Sequence, residues 1–161
     1  MENLIIACGN YGSTLKAADI LSRRLDGNSL IFDAVKNKSL PDFSAYDNII
    51  LGGNVHMNKL NKRFRKIAKN LKKSNYSANV YAYFLCGFKE KSNIYLEQAK
   101  KLLPFAKRID YVGGILSAEN ITGFWANVIV DAREGLKKAG KSLPSLDRKL
   151  LENIAEYINT H

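Results

Sequence analysis

Apolar residues in this chain fall in short continuous runs, which alternate with stretches where they recur every third or fourth position. Asn3 to Cys8 (NLIIAC) is such a run, with the length and composition of a strand covered on both faces. After Gly9 to Gly12, the residues Leu15, Ala18, Ile20, Leu21 and Leu25 stand at roughly helical spacing, which predicts a helix from Ser13 that stops near Gly27. Ser29 to Val35 (SLIFDAV) and Asn48 to Gly52 (NIILG) predict the second and third strands, separated by a linker that contains Pro41. Leu60, Phe64, Ile67 and Leu71 mark one face of a helix, and Val80 to Leu85 (VYAYFL) predicts a fourth strand. Ile94 to Leu103 reads as a helix stopped by Pro104, and Arg108 to Leu116 as a fifth strand interrupted by Gly113 and Gly114. Phe124 to Ala139 and Leu146 to Ile158 close the chain as two helices around a Gly140 to Pro144 turn. The apolar segment Phe124, Trp125, Val128 and Ile129 is expected to pack on the sheet, as large aromatics mostly do, the alternative being an exposed Phe124 and Trp125 pair that meets a hydrophobic partner.

This alternation predicts an α/β fold: parallel strands joined by right-handed crossovers, in an open doubly wound sheet with helices on both faces. At 161 residues, a single domain spanning 1–161 is expected. Ligands of such sheets bind outside the carboxyl ends of the strands. That rule selects the loops after strands one, three and four: Gly9 to Thr14, Gly53 to Lys59, and Cys86 to Ser92.

The first loop, Gly9-Asn10-Tyr11-Gly12-Ser13-Thr14, opens directly onto a helix start. Glycines let the backbone turn toward a ligand, free amides point outward at the positive end of the helix dipole, and Ser13 and Thr14 add hydroxyl donors. Those are the donors a phosphate monoester needs. The bland alternative is a turn at Gly12 with Ser13 or Thr14 capping the helix. The loop lacks the lysine of GxxxxGK[ST], and the GxGxxG pattern of dinucleotide folds is missing, so nicotinamide dinucleotides are not expected here.

With 46% apolar and 25% charged residues, the composition is that of a globular protein and excludes collagen-like and disordered classes. Two cysteines are too few for a disulfide framework. No basic region precedes the apolar run at the N-terminus, and no apolar stretch approaches the roughly 20 residues of a membrane span, so a cytoplasmic protein is expected. The net charge is +10. It is concentrated between Asp47 and Glu90, where no acid occurs and Lys59, Lys62, Arg63, Arg65, Lys66, Lys69, Lys72, Lys73 and Lys89 do. Such a face attracts an acidic redox partner or anionic lipid headgroups. No specific nucleic-acid partner is expected, because only Phe64 sits among these cations, and on the inner face.

The segment Ile5 to Thr14 (IIACGNYGST) resembles the first strand and phosphate loop of flavodoxin-like proteins. Ile50-Leu51-Gly52-Gly53 with Asn54 to Lys59 (NVHMNK) is similar to that family's third strand and flavin-flanking loop. Gly113-Gly114-Ile115-Leu116 looks like the fifth-strand segment of the subgroup containing menaquinone-dependent protoporphyrinogen dehydrogenases. The resemblance implies a five-stranded sheet of order 2-1-3-4-5 holding FMN at its switch point, as the flavodoxin order does. It places Asn10, Tyr11, Gly12, Ser13 and Thr14 on the phosphate. Gly53, Asn54, Val55, His56 and Met57, with Cys86, Gly87 and Phe88, would border the ring.

His56 would stack on the ring or carry a proton beside it, histidine being the side chain that titrates near neutrality. Cys8 and Cys86 would be separated by strand three, about 9–10 Å apart at the usual strand spacing, which is beyond disulfide reach. The chain departs from the family pattern at Gly9, where a Ser or Thr is usual, at Asn54, often a proline, and at His56, often a tyrosine. The implied function is electron transfer or oxidoreduction with a redox protein or quinone as partner. The alternatives are a quinone-linked dehydrogenase of a porphyrinogen-like substrate, and a flavin-less basic adaptor.

Overall fold

In the computed structural model, which describes residues 1–116 and 122–161, the chain runs β1 (Glu2–Cys8), α1 (Ser13–Ser22), β2 (Asn28–Asp33), β3 (Asn48–His56), β4 (Lys59–Leu60), α2 (Lys62–Lys73) and β5 (Asn79–Leu85). It continues through α3 (Ser92–Leu102), β6 (Arg108–Tyr111), α4 (Phe124–Lys138) and α5 (Arg148–Thr160). Five strands pair in parallel in the order β2-β1-β3-β5-β6, and β4 pairs antiparallel with β3. Apart from that short return strand, this is the doubly wound order 2-1-3-4-5.

Successive side chains of a strand point to opposite faces, so each buried run feeds two cores. Leu4, Ile6, Cys8, Ile49, Leu51, Val80, Ala82 and Phe84 pack on one face against Phe64, Ile67, Ala68 and Leu71 of α2 and Tyr95 and Ala99 of α3. Ile5, Ala7, Ile50, Tyr81, Tyr83 and Leu85 pack on the other against Ala17, Ala18 and Leu21 of α1 and Leu151, Ile154, Ala155 and Ile158 of α5. Side chains of this kind contribute about 1.5–3 kcal/mol each when fully buried, which is why the wholly apolar runs occupy the centre of the sheet. A ladder of amides pins the register at the other end of the strands: Asn48 donates to Asn3 at 2.8 Å, and Asn79 donates to Asn48 at 3.3 Å.

Four sequence expectations are corrected. The third strand does not end at Gly52 but runs on to His56, and a hairpin replaces the expected loop. Leu60 therefore belongs to β4 rather than to the helix face that buries Phe64. The fifth strand ends at Tyr111, because Gly113 takes a left-handed backbone (φ 82°) and bridges antiparallel to Leu146. The Phe124 segment forms the expected helix but does not pack on the sheet: α4 buries none of its residues. Both faces beside β3 and β5 are already covered by α1, α5, α2 and α3, which leaves no sheet surface for it.

Candidate functional site

Gly12 ends the loop after β1 in a left-handed conformation (φ 82°), a backbone that L side chains rarely adopt, and it caps α1 without any side-chain hydrogen bond. The first-turn amides of α1 thus keep the outward donors that helices leave unpaired at their start. Thr14, the second residue of α1, is fully buried, and its Oγ1 has no hydrogen-bond partner. The hydroxyl leans over Gly9, where even a Cβ would collide with it. This explains the glycine: at the position where a Ser or Thr is usual, the space is taken by the hydroxyl of Thr14.

The depth of α1 is set from the sheet. Tyr83 on β5 passes across Gly52 of β3, where a Cβ would strike its ring, and its hydroxyl donates to the Thr14 carbonyl at 2.9 Å. The contact is fully buried, and desolvation pushes the Tyr83 phenol far above its ordinary range.

On the far side of the loop stands a residue that the sequence reading counted only as surface charge. Arg63 Nη1 donates to Asn10 Oδ1 at 3.3 Å. Its backbone is fixed by a buried amide pair: Asn61 donates from Nδ2 to Asn54 Oδ1 at 3.1 Å and from its backbone to the Asn54 carbonyl at 2.9 Å, while Asn61 Oδ1 caps α2 by accepting the Arg63 amide at 2.8 Å. Asn54 therefore holds α2 against the hairpin. The available sequence signal was the Asn61 cap ahead of Arg63.

The β3–β4 hairpin turns through Met57 (φ 50°) and Asn58 (φ 57°), the two-residue turn whose twist matches paired strands. It presents His56 between two aromatics: its ring centroid lies 6.3 Å from that of Tyr11 and 5.1 Å from that of Trp125. Phe124 extends this row at 5.5 Å from Trp125 and is 73% exposed. Asn10, His56 and Met57 line a cavity of about 340 Å³ together with Arg63, Lys59, Lys62 and Arg65.

The expected site residues thus separate into three groups. Asn10 to Thr14 come together with His56 and Met57 at one end of the sheet. Gly53 and Asn54 are buried within it, paired to Phe84 and Leu85, and with Val55 they carry the hairpin. Gly87 and Phe88 line a different cleft, of about 880 Å³, with Tyr111, Gly113 and the segment before α5. Cys86 is buried beside it and exchanges weak contacts of 3.4 Å with the Phe88 backbone.

Both thiols are free and buried. Burial pushes the Cys8 thiol up to about 12; the positive charge of Arg63 opposes this and the negative charge of Asp33 adds to it. Cys86 is raised for the same first reason. Neither is the low-pKa, accessible thiol that thiol–disulfide chemistry requires.

A doubly wound sheet with an uncapped helix start at its switch point and an aromatic row beside it defines the class. The model of the flavodoxin domain family matches residues 4–138, and the chain belongs to that family. No curated protein matches it. The fold is similar to that of a flavoprotein in complex with FMN from Lactobacillus acidophilus NCFM, at 17% identity, TM-score 0.52, and coverage of 68% of this chain and 92% of that one. Oxidised flavodoxin 1 from Bacillus cereus is similar at 13% identity and TM-score 0.51, covering 86% of this chain and 98% of the other. Rubredoxin oxygen:oxidoreductase from Desulfovibrio gigas gives 12% identity and TM-score 0.57; this chain is covered over 99% of its length and that larger one over 35%. At such identities the likeness concerns the fold.

Proposed function

We propose that the protein binds FMN in the Gly9–Thr14 loop and carries electrons. The observation that carries this reading is the buried Thr14 hydroxyl without a partner, set at an uncapped helix start. A buried polar group left unpaired costs about 1–3 kcal/mol, and a phosphate oxygen at that point relieves it while accepting the first-turn amides. The flavodoxin-domain match and the FMN complex of the similarly folded Lactobacillus protein support this cofactor.

In this reading Asn10, Tyr11, Gly12, Ser13 and Thr14 hold the phosphate end. Tyr11, His56 and Met57 border the ring, with Gly53, Asn54 and Val55 acting through the hairpin they support, while Gly87 and Phe88, with Cys86 beside them, face the separate cleft beyond β5. Bound there, FMN supplies the reversible electron uptake that amino-acid side chains lack. The chain's part is to orient the ring, exclude water from its faces, and offer the His56 imidazole as a proton donor or acceptor at its edge. The test is titration of flavin-free protein with FMN, followed by flavin fluorescence. Tight uptake is expected, and Thr14→Val should weaken it about 10- to 100-fold, the loss of one hydrogen bond to a charged group. A protein that takes up no FMN, or binds it equally well as Thr14→Val, would refute the reading.

The exposure of Phe124 and Trp125 favours a second, finer reading in which the electron acceptor is an apolar quinone, as in the protoporphyrinogen dehydrogenase subgroup. The pair stands beside His56 with its apolar surface open to solvent, where a flat hydrophobic acceptor can approach the ring. Replacing both by serine should then slow reduction of a menaquinone analogue and leave reduction of hydrophilic ferricyanide unchanged. Equal rates toward the quinone would leave the electron-carrier reading alone.

A further inference from the structure

We propose that Arg63 is the charged member of the phosphate site and makes the protein prefer phosphorylated over unphosphorylated flavin; this rests on the Gly9–Thr14 loop being the flavin phosphate site. A phosphate monoester carries close to two negative charges at neutral pH, its second pKa being about 6. The loop itself offers only amides and hydroxyls, and at Gly9 the position that usually adds one more hydroxyl has none. The charge is supplied from outside the loop.

Three observations converge on Arg63. Its guanidinium already meets the loop at Asn10 Oδ1, 3.3 Å away, and a guanidinium has further donors in a planar fork suited to phosphate oxygens. Its backbone is held by the buried Asn54–Asn61 pair, which ties the first turn of α2 to β3, where Gly53 pairs with Cys8 just ahead of the loop. And it carries no ion pair among the described residues. Arg23, Arg24 and Arg108 each form an ion pair with a carboxylate, and Arg65 donates to the Leu60 carbonyl at 3.0 Å, whereas among the described residues no carboxylate lies within ion-pair distance of Arg63. Its positive field also reaches the buried end of β1, where it opposes the upward shift of the Cys8 thiol.

Arg63 is exposed, so its pull on an anion is screened by water and salt. The expected effect on FMN affinity is therefore at the lower end for a charged contact, about tenfold at low ionic strength. The experiment compares dissociation constants of FMN and riboflavin for flavin-free wild type, Arg63→Gln and Arg63→Lys, at 20 mM and 500 mM NaCl, with thermal unfolding of each protein as a check of folding. Arg63→Gln is expected to weaken FMN about tenfold without changing riboflavin, Arg63→Lys to fall between, and high salt to shrink the difference. Unchanged FMN affinity in Arg63→Gln, or an equal loss for FMN and riboflavin, would overturn the role of Arg63 while leaving the phosphate site standing. Wild type that binds neither flavin would overturn the phosphate site and this inference together.

Discussion

The start of α1 and the start of α4 both carry residues that suit a flavin, but they are held in opposite ways. Thr14 lies at 0% exposure, under Gly9 and tied through its carbonyl to Tyr83. Phe124 and Trp125 begin a helix with no buried residue, and Trp125 meets the rest of the site through the His56 ring. The first region is positioned by the same burial that stabilises the fold, so its geometry is as firm as the core. The second contributes little to the fold and leaves its apolar side chains open to solvent. A flavin site built from both, as proposed above, would have a rigid phosphate end and an open ring end, which suits tight cofactor retention with access for an electron partner.

The contrast can be tested by perturbing each region in turn. Alkali should act most strongly, and through the buried side. The Cys8 thiol moves from an ordinary 9.0 to about 12 on folding, so between those pH values the unfolded chain loses a proton that the folded protein keeps. Stability is intact below pH 9 and falls as pH rises toward 12, by up to about 4 kcal/mol from this group alone. Urea unfolding across that range should show a shallower decline in Cys8→Ala; an identical slope would remove Cys8 as the cause. Next, Gly52→Ala should cost about 3 kcal/mol by forcing its methyl into the Tyr83 ring, and it should weaken FMN binding as well, because Tyr83 sets the depth of Thr14. A stable Gly52→Ala protein would mean that α1 is not positioned from the sheet. At the other end, serine at Phe124 and Trp125 should change stability by less than about 0.5 kcal/mol, as surface substitutions do. A larger loss would show that α4 is part of the core after all.

Much of this was legible in the sequence. A buried parallel strand is a continuous apolar run and an amphipathic helix repeats at 3.6 residues, so β1, β5, α2 and α5 could be read directly. The Tyr11-Gly12-Ser13-Thr14 turn was equally clear, because a strand meets a helix there and glycine adopts the left-handed backbone at least cost. The hairpin was not: its turn is Met57-Asn58 rather than the Asn-Gly or Asp-Gly that announces such turns, and β4 is two residues long. The exposure of Trp125 was only the less favoured alternative, because an apolar helical face looks the same whether it meets a core or a partner. Arg63 was counted only in the basic stretch, because periodicity says which side of a helix faces water and not which loop stands opposite.

Local chemistry in the chain settled most of the elements, the doubly wound class and the glycine turn between β1 and α1, since each depends on residues close together in sequence. Tertiary structure alone decided that Tyr83 supports Thr14 from 69 residues away, that Asn54 and Asn61 aim Arg63 at Asn10, and that α4 finds no room on a sheet already covered. Those facts follow from strand register and from competition for the same buried surface, which no single segment carries within itself.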